Sequence, residues 1–449
     1  MSGTRVDLGL LDPLTTPAAA ALVGDAAYLS AMIEVEAALI GAFVDIGVAP
    51  ADAETDPDVL AADADLAAIA SSARDGGNPV IPLVGALRSA APAAAAPFVH
   101  RGATSQDILD SATMLVAGRA AAAITADLRE AIGSLILLAD EHRYTLMAGR
   151  TLGQQAAPTT FGLRAASWLD AVLTAQLTLD STAWRLPAQL AGSVGTATTL
   201  ADAAGGAEKA EQLRIEFAER LGLVHRTAGW HTDRTIIVEL AAALALVIGT
   251  VGRIGHDVAL LCRTEVGEVS EGLTDGQGGS SAMPQKRNPV AAVLLSAAAR
   301  RSPGLLATLA GSLLAEDDRP TGAWHAEWPT LRELLRIGLG AADAARTLTA
   351  GLTVDPARML ANLDLTNGAV HSERATEILT EHLGRVRAGE LVKQALAGDA
   401  DFVSSLSLLV SDEPTIAAAL ASITTVTPGP VGLSDIIIDA TIARAGALA

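Results

Sequence analysis

The sequence predicts an all-α protein with three domains and a long central helical bundle. Apolar residues recur three and four positions apart over long stretches, which is typical of helices that pack along their whole length. Proline, which breaks helices, is absent between Pro97 and Pro158 and between Pro187 and Pro284. Alternating strand patterns are nearly absent. Because the chain has 449 residues, 50% of them hydrophobic, it can build a large core.

The first domain is predicted to span residues 1–103 and to consist of short helices. Two stretches interrupt it, APADAETDPD (49–58) and RDGGNPVIP (74–82), and their proline, glycine and aspartate content is typical of loops.

The central domain, residues 104–350, is predicted to hold the longest helices. One is indicated by an apolar seam whose spacing alternates between three and four residues, which implies a single helix of at least about 25 residues. The seam consists of Ile237, Leu240, Leu244, Val247, Val251, Ile254, Val258 and Leu261. A second set predicts another long helix: Ile108, Leu109, Met114, Leu115, Leu128, Ile132, Leu135 and Leu138. Helices of this length need partners, so we expect a bundle extended by oligomerisation.

The third domain is predicted to span residues 351–449. In TVDPARML (353–360), Asp355 can cap a helix and Pro356 suits its first position, so a new helix is expected there. The stretch TTVTPGPVG (424–432) is interpreted as a turn.

Composition excludes several classes of function. A formal charge of −20 opposes binding to nucleic acid or anionic lipid, so an anionic ligand would need a local cluster of positive groups. The single cysteine, Cys262, excludes an intrachain disulfide and suits a reducing compartment. The N-terminus lacks the pattern of a signal peptide, and no uninterrupted apolar run reaches about 18 residues. We therefore expect a cytoplasmic protein that binds neither membrane nor nucleic acid.

Five polar segments interrupt this apolar background, each at the end of a predicted long helix or between two. They are HRGATSQD (100–107), GRTLGQQAAPTT (149–160), GWHTDR (229–234), GGSSAMPQKRNPV (278–290) and WHAEWPTLRE (324–333). In the first segment Thr104 is interpreted as the N-cap of a helix, with Asp107 reaching back to it. A helix N-terminus also attracts carboxylates, so this segment can serve both capping and binding.

The fourth segment carries a specific resemblance. GSSAMPQKRNP is similar to the signature of the fumarase/aspartase superfamily, and GATSQD and the GRT and PTTFG region agree in order and spacing. The resemblance covers most of the chain. It implies a three-domain helical fold, a homotetramer with a twenty-helix core, and active sites to which three subunits contribute.

The resemblance also implies the roles of individual residues. The superfamily forms or breaks a bond at the carbon β to a carboxylate, with proton transfer at the α carbon and an enediolate-like intermediate. Such chemistry needs a base and positive groups aimed at the developing oxyanion. Ser280 would transfer the proton, with Ser281 as the alternative, and Lys286 and Asn288 would hold carboxylate. The glycines before Ser280 would let the segment close over the substrate.

Two departures from the superfamily pattern predict a particular reaction. Leu152 stands where fumarase and the amino-acid lyases have the histidine that protonates the leaving group, and Val293 stands where they have the glutamate that orients it. An amine or hydroxide needs that acid, whereas a carboxylate, with an ordinary pKa of about 4, attacks or leaves as a stable anion. Intramolecular carboxylate addition therefore needs one proton, at carbon.

One branch of the superfamily catalyses this addition, the 3-carboxy-cis,cis-muconate cycloisomerases of protocatechuate breakdown in the β-ketoadipate pathway. HRGATSQDILDSA, PTTFGLRAASWLD, WHTDR and TEVGEVSEG resemble this branch, whereas Arg101 stands where it typically has an aromatic residue. The resemblance implies a cofactor-free enzyme acting on a tricarboxylate. Its substrate-binding residues would be His100, Arg101, Thr104, Ser105, Arg150, Thr151, Gln154, His231, Ser281, Met283, Arg287 and His325.

Other interpretations remain open at this point. Arg287 is equally consistent with a solvated interface, and His231 and His325 with positions outside the site. An adenylosuccinate-like or other fumarate-releasing lyase would need a replacement acid, with His100 and His231 as candidates. A catalytically silent structural tetramer is a third hypothesis, against which the intact Ser280, Lys286 and Asn288 set argues. No metal is expected, although EDDRP (316–320) with His325 offers conceivable ligands.

Overall fold

The computed structural model describes residues 10–272, 278–279, 282–398, 400–424 and 431–447. The described part is mainly helical, as predicted. Its helices are α1 (Pro17–Leu22), α2 (Asp25–Asp45), α3 (Pro57–Leu60), α4 (Leu66–Gly76), α5 (Val80–Ala90), α6 (Ser105–Glu141), α7 (Phe161–Ala183), α8 (Thr198–Ala204), α9 (Ala207–Leu221), α10 (Thr235–Leu261), α11 (Val290–Ala310), α12 (Ala323–Gly351), α13 (Pro356–Leu363), α14 (Ser372–Leu383), α15 (Arg385–Leu396), α16 (Phe402–Leu409), α17 (Pro414–Thr424) and α18 (Ser434–Gly446).

The chain divides into two compact units. Unit 1 comprises Met1–Leu128, Thr174–Arg253 and Leu294–Ala345, and unit 2 comprises Arg129–Leu173, Ile254–Val293 and Arg346–Ala449. The predicted domain boundaries near residues 103 and 350 stay predictions.

Both predicted long helices are present. α10 has 27 residues, and every member of its predicted seam is buried, from Ile237 to Leu261. α6 has 37 residues, and its predicted apolar positions are buried except the half-buried Leu115. Within unit 1, α10 approaches α11 so closely at Gly252 that a Cβ there would lie 2.3 Å from the Cβ of Ala299. The seam therefore marks a real packing face.

A β-hairpin in unit 2 corrects the expectation that strands are nearly absent. Strand β1 (Leu146–Thr151) pairs antiparallel with β2 (Gln154–Thr160), and the turn between them consists of Leu152 and Gly153. Both turn residues have positive φ, 51° and 80°, which is the pattern of a type I′ turn. The polar, glycine-containing sequence of GRTLGQQAAPTT concealed this hairpin. A second, short pair joins β3 (Val269–Ser270) to β4 (Thr353–Val354).

Local signals in the rest of the chain gave mixed results. Asp355 caps α13 by accepting a hydrogen bond from the backbone N–H of Arg358, and Pro356 is the first helical residue, as predicted. The two predicted loops are only partly loops, because α3 starts at Pro57 and α5 starts at Val80. Proline at the start of a short helix was mistaken for a loop signal. Most of the predicted turn at 424–432 lies outside the described residues.

Three helical stretches are long and apolar enough to cross a membrane when judged by length and composition alone. They are Pro17–Asp45, Thr235–Leu261 and Val290–Leu313, and 72%, 56% and 22% of their apolar windows are buried within the chain. Charged residues interrupt each of these stretches, for example Glu239 within Thr235–Leu261, so the expectation that no uninterrupted apolar run reaches about 18 residues is not contradicted. A helix in a large core is apolar on most sides, so composition does not separate it from a membrane span.

Candidate active site

The start of α6 in unit 1 is organised by the buried carboxylate of Asp107. Its oxygens accept hydrogen bonds from the backbone N–H groups of Thr104 (3.0 Å), Ala191 (3.0 Å) and Gly192 (3.0 Å). The Nε2 atom of His231 lies 2.9 Å from the same carboxylate. Asp107 therefore reaches back to Thr104, as predicted, and also holds the loop at residues 191–192 against the helix N-terminus.

The side chain of Thr104 does not cap α6 in the predicted way. Its Oγ1 atom instead accepts a hydrogen bond from Nη2 of Arg319 at 3.1 Å, and the same Nη2 donates to the backbone oxygen of Ser193 at 3.2 Å. Ser105, the first residue of α6, is half-buried beside Thr104. Unit 1 thus brings together two predicted hydroxyls, a helix N-terminus and an arginine that the sequence did not single out.

His100 and Arg101 lie just before this helix and have different surroundings. His100 has a left-handed backbone (φ 57°), and the fully buried carboxylate of Glu36 accepts from its backbone N–H at 2.8 Å and lies 2.7 Å from its Nδ1. Arg101 lies over the rings of Phe98 and Phe43, 5.0 and 5.7 Å from their centroids. Glu36 leaves Nε2 as the ring nitrogen of His100 that is available for a ligand, whereas Arg101 is held by aromatic rings.

The two tryptophan–histidine segments of unit 1 contribute mainly to a buried ionic network. Arg234 is 1% exposed and is bonded to Asp110 (2.8 Å) and Glu327 (2.6 Å), and Trp324 donates to Asp110 at 2.9 Å. Burial acts to lower the pKa of Arg234, but the two carboxylates outweigh it, so the pKa is raised. Burial raises the pKa of Glu327 despite the guanidinium.

The two histidines of these segments are placed differently. His231 is buried on Asp107, whereas His325 is exposed and bonds through Nε2 to the backbone oxygen of Gly77 at 3.1 Å. The hypothesis that His100 or His231 supplies the acid of a fumarate-releasing lyase stays a prediction.

The hairpin of unit 2 carries three predicted binding residues. Arg150 is bonded through both terminal nitrogens to the fully buried Glu268, at 2.5 and 2.9 Å, and Asn362 donates to the same carboxylate at 2.8 Å. Thr151 and Gln154 are exposed on either side of the turn. Arg150 is thus neutralised by Glu268, so the observed geometry makes it an anchor for the hairpin; its role in substrate binding stays a prediction.

The signature segment of unit 2 is described only in part, because Ser280 and Ser281 lie outside the described residues. Asn288 donates from its backbone and side-chain nitrogens to the backbone oxygen of Gly278, at 2.8 and 3.2 Å. It therefore ties the backbone at residue 288 to that at residue 278. The other predicted members of the segment, Met283, Lys286 and Arg287, are exposed.

Glu271 fastens the two ends of this segment together. Its carboxylate accepts from the backbone N–H groups of Ala292 (2.7 Å) and Ala291 (3.2 Å), the first turn of α11. Burial raises the pKa of Glu271, and these hydrogen bonds offset part of that increase. The base of the segment is thus held, while Lys286 and Arg287 are exposed.

Sequence reasoning missed Glu36, Glu268 and Arg319. Glu36 lay in no motif, and Glu268 lay within TEVGEVSEG but was not singled out, so only the fold shows that these acids support His100 and Arg150. Arg319 lay in the acidic stretch EDDRP, which suggested metal ligands. Among the described residues, no group of three or more metal-binding side chains converges.

Comparison with known proteins supports this description. The family model described as Lyase matches residues 62–304. A nitrosuccinate lyase of Streptomyces davaonensis is 46% identical over 426 residues, which cover 93% of this chain and 90% of that protein. A 3-carboxy-cis,cis-muconate cycloisomerase of Bradyrhizobium diazoefficiens is 43% identical over 335 residues, 74% of this chain and 73% of that protein. The crystal structure of 3-carboxy-cis,cis-muconate lactonizing enzyme from Pseudomonas putida has a TM-score of 0.88 at 35% identity, covering 98% of this chain and 99% of that chain.

The helical fold and the three motif segments define an enzyme of the addition and elimination class. The chain belongs to the lyase family of the fumarase/aspartase superfamily, as its motifs predicted. Among the relatives named here are both an eliminating and a lactonising enzyme, so the family is shown and the reaction is a separate question.

Proposed function

We propose that this chain is a cycloisomerase that converts 3-carboxy-cis,cis-muconate to 4-carboxymuconolactone in protocatechuate breakdown. The similarity to cycloisomerases over about three quarters of the chain or more supports this proposal. The proposal includes a cofactor-free reaction, a homotetramer and a cytoplasmic location, as expected from the sequence.

The observation that carries a reaction without a general acid is the residue at the tip of the hairpin. Leu152 is fully exposed there and offers no proton, whereas histidine occupies this motif position in relatives that expel basic groups. Among the described residues of unit 2, the neighbouring cation, Arg150, is already bonded to Glu268. This hairpin therefore supports a reaction whose attacking or leaving group is a stable anion that needs no proton.

The proposed step closes a ring and protonates one carbon. A carboxylate oxygen of the substrate adds to the β carbon of a conjugated double bond, and the electron pair of that bond moves toward the carboxylate beyond it. Ser280 delivers one proton to the α carbon, which gives the lactone. Lys286 and backbone N–H groups stabilise the enediolate, and Asn288 keeps the turn at Gly278 in place.

A second candidate is elimination from nitrosuccinate. The 46% identity to the nitrosuccinate lyase extends over 93% of this chain, a longer alignment than that to the Bradyrhizobium cycloisomerase. In this reaction the base removes the α proton, and the carbon–nitrogen bond breaks with its electron pair leaving on nitrite. Nitrite, like carboxylate, is a stable anion at neutral pH, so Leu152 suits both reactions.

Two assays on the purified protein separate these candidates. One follows loss of the diene absorbance of 3-carboxy-cis,cis-muconate; the other follows nitrite and fumarate formed from nitrosuccinate. We expect diene loss with a kcat/KM at least about tenfold above that for nitrosuccinate, and almost no turnover by Ser280→Ala. The exposed Ser422→Ala on α17 is the matched control. Faster nitrite release would reverse the ranking, and fumarate release from adenylosuccinate would overturn the acid-free proposal.

The surface of α11 supports the proposed assembly. In unit 2, Val290 and Val293 at the start of α11 are 41% and 53% exposed; in unit 1, Leu313 and Leu314 are 48% and 87% exposed. Exposed apolar area of this kind is typical of an interface. Size-exclusion chromatography with light scattering should give four times the mass of one 45.5 kDa chain, and a monomer would contradict the proposal.

A further inference from the structure

We propose that Arg319 binds a carboxylate of the substrate at the N-terminus of α6. This inference rests on the proposed function in one respect, since it assumes a polycarboxylate substrate. It adds a cation that the motif segments do not contain.

The contacts of Arg319 place its guanidinium beside the predicted binding hydroxyls. Nη2 donates to Oγ1 of Thr104 at 3.1 Å and to the backbone oxygen of Ser193 at 3.2 Å, all within unit 1. Its Nε atom is buried and has no hydrogen-bond partner among the described residues. A buried N–H of an ionised group without a partner is costly, so it indicates a missing acceptor.

The charge of Arg319 is also uncompensated in the described part of the chain. Three arginines of the motif segments have partners: Arg234 and Arg150 bind buried carboxylates, and Arg101 lies over phenylalanine rings. None of the ion pairs among the described residues includes Arg319. The carboxylate of the nearby Glu316 accepts from the backbone N–H of Thr321 at 2.5 Å instead.

The surroundings of Arg319 select an anion as the missing acceptor. α6 begins at Ser105, and its free N–H groups and partial positive charge lie beside the Thr104 hydroxyl that Arg319 contacts. The Arg319 guanidinium and the N-terminus of α6 both lie next to the Thr104 hydroxyl. Together they favour a carboxylate, which can accept hydrogen bonds from both. In a protein with a charge of −20, Arg319 thus supplies a positive group beside the predicted binding hydroxyls.

The test measures binding of unreactive carboxylates, so that it does not depend on turnover. Tricarballylate and fumarate are titrated calorimetrically into the wild-type protein, Arg319→Met and Arg319→Lys. We expect the dissociation constant of tricarballylate to rise about 10- to 100-fold in the Met variant, with a smaller rise in the Lys variant. Arg385→Met, an exposed arginine at the start of α15, removes the same charge and should bind as the wild type does.

A purely structural role for Arg319 would give a different result. The Met variant would then melt at a lower temperature but, where folded, bind tricarballylate as tightly as the control, and the inference would be wrong. Should the Met variant fail to fold, the Lys variant and rescue of Arg319→Ala by added guanidinium provide the same comparison. Loss of affinity without turnover of either candidate substrate would support Arg319 and refute the proposed function; absence of binding by the wild type would overturn the inference.

Discussion

The imidazole of His231 lies against the carboxylate of Asp107, with Nε2 and Oδ1 2.9 Å apart and both side chains buried. This pair joins two polar segments that are more than a hundred residues apart in sequence. Asp107 also accepts from three backbone N–H groups, so the pair holds a loop and a helix start in one arrangement. His231 therefore stabilises the predicted binding segment HRGATSQD through its contact with Asp107.

Two of the acid–histidine pairs of unit 1, His100–Glu36 and His231–Asp107, should contain opposite tautomers. A carboxylate only accepts hydrogen bonds, so neutral His100 carries its proton on Nδ1, facing Glu36, and neutral His231 carries it on Nε2, facing Asp107. Nitrogen-15 NMR of the imidazoles should show one of each. In Glu36→Gln the His100 signal should move toward a mixture, whereas that of His231 should not change. The same tautomer for both would contradict the geometry.

Replacing Asp107 by asparagine should destabilise unit 1. The amide offers one acceptor oxygen instead of two, so at least one buried N–H loses its partner or faces an N–H₂ group. We expect the free energy of unfolding to fall by about 2 to 4 kcal/mol in urea denaturation. The exposed Asp52→Asn should change it by less than about 0.5 kcal/mol. Equal losses of unfolding free energy in the two variants would show that the hydrogen bonds of the Asp107 carboxylate do not stabilise unit 1.

The ionic network around Arg234 should make stability depend on pH. Burial raises the pKa of Glu327 above its ordinary 4.5, so the folded protein keeps a proton that the unfolded chain releases. The contribution of this group to the free energy of unfolding therefore falls as pH rises above about 4.5. Between pH 5 and pH 8, the urea midpoint of the wild type should fall relative to that of Glu327→Gln. If the two midpoints change in parallel with pH, the prediction is wrong.

Removing the buried cation of the same network should cost more than removing an exposed arginine. Arg234→Met leaves the buried carboxylates of Asp110 and Glu327 without their partner, so we expect a loss of about 3 to 5 kcal/mol. Arg387→Met removes an exposed partner of Glu390 and should cost at most about 1 kcal/mol. Similar losses in the two variants would mean that the network is not desolvated.

The hairpin tip should respond in opposite directions to two neighbouring substitutions. Leu152 has a φ of 51°, which is unfavourable for leucine, so Leu152→Asn should raise the free energy of unfolding by about 0.5 to 1 kcal/mol. Gly153 has a φ of 80°, so Gly153→Ala should lower it by about 1 kcal/mol. Thermal unfolding measures both. A loss of stability on Leu152→Asn would instead indicate that Leu152 is buried in the assembled protein.

Much of the fold could be predicted from local and periodic signals. The seam of α10 predicted a long helix because its spacing places all eight apolar side chains on one face of a helix. All eight are buried in the structure. Asp355 and Pro356 predicted the start of α13 because capping depends on neighbouring residues alone. The hairpin was missed because its turn requires positive φ at Leu152, where leucine carries no turn signal.

For the site, too, the sequence predicted the features that depend on local residue pattern and not those that depend on the fold. The sequence by itself determined the family, the motif segments and the missing acid at Leu152, because these depend on residue types at fixed spacing. Only the tertiary structure decided which charges are already neutralised: Arg150 by Glu268, and Arg234 by its two acids. It also left Arg319 beside Thr104 with an unbonded nitrogen. Which charged groups form pairs depends on the distance between them in three dimensions, and their spacing along the chain does not encode that distance.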